Sequence, residues 1–261
     1  MTTNRFDVAQ DDGYLATTTV TSFRIIEALK RRDGATVQQL VEELGLASGT
    51  VYKHLNTLQS IQYVDKDGSE YRLGLGFLEL GIAARTQRNL YNQTYDSLES
   101  LAETTGGVTT LMVPEHGFGV YLTQIVPSGA TAPPHQEGER AHLHATAGGK
   151  VILAYQPTET VESWLENRSL PALTPFTISD PEELQSELQS VRDRRAAHSR
   201  REQFEEWHAV AAPVTDDDDE AICAVGIKKP VDPNADTTDM SEFKNLLGST
   251  VSSIESKLRF R

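Results

Sequence analysis

The chain has 261 residues, with 24 Lys and Arg against 38 Asp and Glu, a formal charge of −14, and a single cysteine. The length suits two moderate domains, each with its own core, and one cysteine excludes an internal disulfide framework or a multi-cysteine zinc site, which points to a reducing compartment. No run approaches the roughly 18 apolar residues of a membrane span, and the N-terminal "MTTNRFDVAQDDGY" lacks a signal peptide's apolar region, so a soluble, cytoplasmic protein with no membrane partner is expected.

The charge is unevenly spread. Residues 1–82 hold 8 cations against 11 anions, the remainder is net −11, and within 20–76 the signs balance at 7 each. The first third therefore has room for a basic face. Only 8 of the 24 cations are lysines, and Asp216 to Asp219 form an unbroken acidic run. This is the composition of a salt-adapted surface kept soluble by self-repulsion, and it suggests a halophilic protein.

From Thr18, Val20, Phe23, Ile26, Ala28 and Leu29 recur at helical spacing and end in "KRRDG", where cations meet the negative end of a helix and Gly34 stops it. "ATVQQLVEELGL" opens with Thr36 and Gln39 in the capping-box relation and ends at Gly45, giving a second helix. Ser48 has the chemistry to cap a third, 49–60, with Val51, Leu55 and Leu58 inward and Thr50, Tyr52, Lys53, His54 and Asn56 outward. "QYVDKDG" and "SEYRLGL" flank Asp67-Gly68, a strong hairpin signal. Three helices and a hairpin make a winged helix-turn-helix, whose third helix presents side chains to a DNA major groove.

Leu75 to about Thr105 reads as one long helix or two abutting ones, with Leu78, Ile82, Leu90, Tyr91, Leu98 and Leu101 apolar. "VTTLMVPEHG" and "FGVYLTQIVPSG" form a hairpin turning near His116-Gly117, and 130–140 is a loop rich in Pro, Gly and charge. "HATAGGKVILAYQ" becomes helical after its glycine pair, and 159–166 and 181–197 are further helices. "HAVAAPVTDDDDEAICAVGIKK" is a second hairpin around an acidic turn, in which Cys223 reads as a small buried hydrophobe, and 238–260 is a terminal helix. The order of elements gives an α+β domain on an antiparallel or mixed sheet.

Together and in register, "TSFRIIEAL", "ASGTVYKHLNTLQSIQYVDKDGSEYRLGLGFLELG", "LHATAGGKVILA" and "AVAAPV" resemble the IclR family of bacterial and archaeal transcriptional regulators, over roughly 18–258. The resemblance implies a winged helix-turn-helix DNA-binding domain (1–76, core from about 18), a linker helix (77–90) and a GAF-like effector-binding domain (91–261), assembled as dimers or tetramers. It makes the third helix the recognition helix. Ser48, Thr50, Tyr52, Lys53 and His54 then face double-stranded promoter DNA, and Arg72 on the wing with Arg31 and Arg32 contact its backbone. Arg24 is equally suited to an internal ion pair.

The resemblance also places a small-molecule effector, a carboxylate-bearing metabolite, against Thr146, Ala147, Trp207, Ala209, Gly226 and Lys228. The chain departs from the family pattern here. Gly226 and Lys228, followed by Lys229-Pro230, stand where many members carry hydroxyl side chains, and Glu206-Trp207 replaces a glycine-bearing approach to "AAPV". An inward Lys228 favours a carboxylate or phosphate; an outward one is a solvated strand residue.

Two other readings compete. A metal-dependent enzyme would use His142-x-His144 near Glu139, with His116 and His135 elsewhere, but no third ligand stands at a recognisable spacing and "TAGGK" lacks the first glycine and the Ser/Thr of a P-loop. A regulator acting by protein contact alone would lack the basic face. The expectation is a ligand-responsive DNA-binding regulator of catabolic genes with no catalytic residues, metal or cofactor, answering to a small organic, sugar or aromatic acid, and repression and activation suit the residues equally.

Overall fold

The computed structural model describes residues 15–87, 89–232 and 240–259. The N-terminal stretch 1–14, Arg88 of the expected linker, and 238–239 and 260 of the expected terminal helix lie outside the described residues. The chain divides into two compact units between Gln87 and Arg88. Among the described residues no helix is long and apolar enough to cross a membrane.

The first unit runs α1 (Thr17–Arg32), β1 (Ala35–Thr36), α2 (Val37–Leu44), α3 (Ser48–Ser60), β2 (Val64–Asp67), β3 (Glu70–Leu73) and α4 (Gly76–Thr86). Its core packs Ile25, Leu29, Leu40, Val51, Leu55 and Leu58 against Val64 and Tyr71 of the wing. Thr36 caps α2 in a full capping box with Gln39, and Gly45 ends the helix at φ 65°. The antiparallel wing is ordered β1-β3-β2, with Asp67 opposite Glu70, so the two turn residues are Gly68 and Ser69.

Two expectations in this unit are corrected. Phe23 is 49 % exposed, because α1 buries Ile25, Ile26, Ala28 and Leu29 and a residue two before Ile25 falls on the opposite side. Ser48 does not cap α3. It is the first helical residue, and the extended Ala47 stands at the cap, its carbonyl accepting from the Thr50 and Val51 amides, with no side-chain bond.

The second unit runs α5 (Leu90–Thr105), β4 (Val108–Glu115), β5 (Phe118–Ile125), β6 (Arg140–Ala141), a 3-10 turn (Leu143–Ala145), α6 (Ala147–Ala154), α7 (Thr158–Glu166), α8 (Pro181–Arg194), β7 (Ala197–Arg200), β8 (Trp207–Thr215), β9 (Ala221–Pro230), a second 3-10 turn (Ser241–Phe243) and α9 (Lys244–Arg259). Six strands form one sheet in the order β6-β5-β4-β9-β8-β7, and every pairing is antiparallel. Alternation along β8 divides its two faces. Ala209 and Ala211 join the core with α6 and α8, whereas Val210, Ala212 and Val214 join the core with α5 and α9.

Of the two readings of Leu75 to Thr105, one long helix or two abutting ones, the structure has two helices, and the helix expected after the glycine pair begins before it, at Ala147. Gly148 and Gly149 sit inside its first turn, where a side chain is barred at Gly149 and crowded at Gly148. A Cβ at Gly149 would collide with the Leu143 carbonyl oxygen and Cα, and one at Gly148 would lie 3.2 Å from Met112 Sδ.

Candidate functional site

The exposed side of α3 is set by the row it buries. With Val51, Leu55 and Leu58 inward, Lys53 and Asn56 lie opposite, and Tyr52 beside them is 47 % exposed. Ser48 is exposed at the first turn, and Thr50 and His54 are half-buried on one flank. His54 is already engaged, its Nδ1 lying 2.8 Å from the Ser22 hydroxyl. Arg31 and Arg32 close on Glu43 at 2.6 and 2.5 Å, and their hydrogen bonds hold that carboxyl below its usual range. Arg72 on β3 pairs with Glu70 at 3.2 Å while more than half exposed. Arg24 reaches the Leu44 carbonyl at 3.4 Å. The expected DNA-facing set therefore separates into an open group, Ser48, Tyr52 and Lys53, a half-buried Thr50, and a group with partners inside the unit, His54, Arg31, Arg32 and Arg72.

In the second unit a cavity of about 20 Å³ lies between the sheet and the start of α6. Five of the six expected effector-binding residues line it: Thr146, Ala147, Ala209, Gly226 and Lys228. Trp207, on the same face as Ala209 but at the strand's end opposite Pro230, is buried outside that lining. The space exists because the sheet is paved with small residues here. A Cβ at Gly226 would stand 2.9 Å from Thr110 Oγ1, and on β8 Ala211 lies opposite Gly226 and Ala209 opposite Lys228.

Lys228 points inward and is only 6 % exposed. Its Nζ donates to Tyr121 Oη at 2.7 Å and Gln203 Oε1 at 3.0 Å, and lies 2.7 Å from His135 Nε2. None of these partners is a carboxylate, and burial drives the ammonium well below its ordinary lysine range. His135 lies flat on Tyr121, ring centroids 3.9 Å apart and 2° from parallel. Burial first, and then Lys228, lower its imidazole to about 2. Tyr121, His135 and Gln203 escaped the sequence reading as parts of this site. Tyr121 shares a strand face with the cavity, a signal that alternation in "FGVYLTQI" carried, but His135 and Gln203 sit in loops without periodicity.

The expected histidine pair is not on a strand. His142 precedes the 3-10 turn that contains His144, and His144 Nε2 lies 3.1 Å from the Pro171 carbonyl. Among the described residues no group of three or more His, Cys, Asp or Glu is arranged to hold a metal ion.

Comparison with known proteins places both units. Residues 21–68 match the IclR helix-turn-helix domain and residues 82–256 match the bacterial transcriptional regulator IclR C-terminal domain. The chain is 26 % identical over 218 residues to a probable HTH-type transcriptional regulator, ArcR, of Halobacterium salinarum, covering 82 % of this chain and 83 % of that one. It superposes on the crystal structure of the Thermotoga maritima IclR with a TM-score of 0.77 at 24 % identity, over 93 % of this chain and 98 % of that one. It superposes with a TM-score of 0.80 at 21 % identity on an IclR homologue from Microbacterium hydrocarbonoxydans complexed with 4-hydroxybenzoate, over 94 % and 100 % of the two chains. With family models spanning both units, the chain belongs to the IclR family of ligand-responsive, DNA-binding transcriptional regulators rather than to any class of enzyme.

Proposed function

We propose that this regulator reads double-stranded promoter DNA with α3 and the β2–β3 wing and senses a small organic, sugar or aromatic acid in the cavity beneath α6, controlling catabolic genes. The observation that carries the acid is Lys228. A buried cation held only by neutral acceptors is costly, and an incoming carboxylate supplies the missing charge. The α6 N-terminus, whose Gly149 amide is capped by the Thr146 hydroxyl, opens on the same cavity, and the positive end of its dipole adds a second attraction for an anion. The relative bound to 4-hydroxybenzoate supports an organic acid.

The working form is a homo-oligomer in the cytoplasm. Its support is α4, which has no fully buried residue and exposes Leu78, Leu80 and Ile82, with Leu75 exposed at its N-cap, an apolar surface suited to a partner. Effector binding then biases the spacing of paired recognition helices against paired half-sites. The acidic surface fits a saline interior, as does the relative from Halobacterium salinarum.

A thermal-shift screen of carbon metabolites on the full chain tests the sensor. Carboxylate-bearing compounds should raise the melting temperature, with about 2.7 kcal/mol of stabilisation at a hundredfold excess over Kd. A screen in which no acid or sugar stabilises the chain rejects the reading.

A further inference from the structure

Three features of the cavity do not belong to an empty, self-sufficient core. Its free volume of about 20 Å³ holds roughly one water, so a metabolite enters only if a side chain leaves. Lys228 Nζ has three neutral partners and no anion. His135 is 3 % exposed, yet its Nδ1 has no hydrogen-bond partner. With Nε2 accepting from Lys228, Nδ1 carries the proton and is left as a buried, unsatisfied donor.

The imidazole has the outline of a ligand. It is a flat ring seated between Tyr121, at 3.9 Å and nearly parallel, and Phe204, at 6.0 Å and 23°. An acceptor on its edge is presented to Lys228 at 2.7 Å. The segment that delivers it has its hydrogen-bonded anchor on one side. Glu137 accepts from Thr123 Oγ1 and the Gln124 amide, and Gly138 and Glu139 pair with Tyr121 of β5, whereas among the described residues 131–135 make no backbone–backbone hydrogen bond and are held by the burial of Pro133 and His135. His135 can therefore leave without unpicking the sheet.

Resting on the acid-sensor reading above, we propose that the effector is a planar aromatic monocarboxylate that displaces His135. Its ring takes the slot between Tyr121 and Phe204, and its carboxylate takes the place of Nε2 on Lys228 Nζ. One carboxylate is the right charge, because among the described residues Lys228 is the one cationic residue lining the cavity, and Lys150 nearby is occupied by Glu202 and Glu187. A phosphate dianion would bring a second negative charge that nothing there meets. A flat ring is the right shape, because the slot it inherits was filled by one.

The test is calorimetric titration of the full chain with benzoate and 4-hydroxybenzoate. Benzamide serves as the neutral isostere, cyclohexanecarboxylate as the non-planar acid, phenyl phosphate as the dianion and pyruvate as an aliphatic acid. The benzoates should bind at least tenfold more tightly than benzamide and severalfold more tightly than cyclohexanecarboxylate or phenyl phosphate. His135→Ala should tighten benzoate binding by threefold or more, because the competing occupant is gone, and Lys228→Met should weaken it at least tenfold. A His135→Ala chain that binds benzoate no better than the wild type overturns the proposal, as does benzamide binding equal to benzoate.

Should Lys228→Met fail to fold, the wild type still decides. The imidazole resonances of His135, identified by their loss in His135→Asn, must move on adding benzoate and then titrate like an exposed histidine; resonances that stay fixed reject displacement. If pyruvate or a sugar acid binds and no aromatic acid does, the displacement proposal falls while the sensor reading stands. If nothing binds, both fall.

Discussion

Lys150 Nζ lies 2.9 Å from both carboxylate oxygens of Glu202, a residue 52 positions away, and both side chains are buried. This pair fixes the loop after β7 to α6. Glu202 also accepts from the Arg200 amide, and the Thr174 and Thr177 hydroxyls donate to the carbonyls of Arg201 and Glu202. The loop so held carries Gln203 to Lys228 and Phe204 to His135. The ion pair is thus a positioning device for one wall of the cavity.

Removing one partner strands a buried charge. Lys150→Met should lose about 3–5 kcal/mol of stability in urea unfolding, because Glu202 is left without a counter-ion. Burial already pushes the Glu202 carboxyl upward against the pull of Lys150. The double variant Lys150→Met, Glu202→Leu should recover most of that loss. If the double variant is no more stable than the single one, the pair is not the source of the loss.

The ion pairs of the first unit separate two kinds of basic residue. Lys53 is exposed opposite the buried row of α3, so Lys53→Gln should weaken promoter binding and lower the slope of log K against log salt by about one phosphate's worth, ~0.9. Arg31 is tied to Glu43 at 2.6 Å, so Arg31→Gln should leave that slope nearly unchanged. Gel-shift titrations at several salt concentrations measure both, and equal slopes for the two variants would count against the division.

What the sequence disclosed follows the range of the interactions involved. The capping box of Thr36 and Gln39 was legible because both partners lie within one turn, and the wing because Asp67-Gly68 is a local signal. Five cavity residues were found through the family resemblance. The direction of Lys228 was not legible, because β9 is covered on both faces and "AICAVGIKK" has no polar alternation to tell inside from outside. The buried ion pairs of Lys150 were not legible, since its acidic partners come from 37 and 52 residues away. His135 sits in an aperiodic loop, and only the fold shows what it covers.

Glycine 149 and glycine 226 should respond differently to alanine. A Cβ at Gly149 meets the Leu143 backbone, which cannot step aside, so Gly149→Ala should cost about 2–3 kcal/mol in thermal or urea unfolding. At Gly226 the obstacle is the Thr110 side-chain oxygen at 2.9 Å, which can rotate. Gly226→Ala should therefore remain folded and lose ligand binding instead, because its methyl enters the cavity. A Gly226→Ala chain that binds effector like the wild type would mean that the ligand sits elsewhere.

Acid should weaken the second unit through its buried histidines. His144 is fully buried, and burial lowers its imidazole to about 4, although its bond to the Pro171 carbonyl works in the other direction. In the unfolded chain the same group titrates near 6.5, so the unfolded state binds more protons between about pH 6.5 and 4. Stability is whole above that window and falls as pH drops through it, by up to about 3 kcal/mol for this residue. His144→Gln should be less stable at pH 8 yet lose less on acidification. Parallel pH profiles for wild type and variant would show that other groups control the acid response.

The exposed row of α4 makes the last prediction. Leu75, Leu78 and Ile82 are 82, 59 and 45 % exposed, and α4 fully buries none of its residues within the chain. Phe77 packs α4 onto Tyr63 and the wing core, but this row is left uncovered, an apolar surface suited to a partner. If that partner is a second copy, replacing Leu78 and Ile82 by Glu should convert the oligomer to monomer in light scattering. The effector-binding unit should keep its melting temperature to within a few degrees, because neither residue contributes to its core. Binding to a paired operator should fall far more than binding to a single half-site, since the two sites would no longer be read by one linked assembly. A variant that stays oligomeric, or that loses half-site and full-site binding equally, would place the self-association surface off α4.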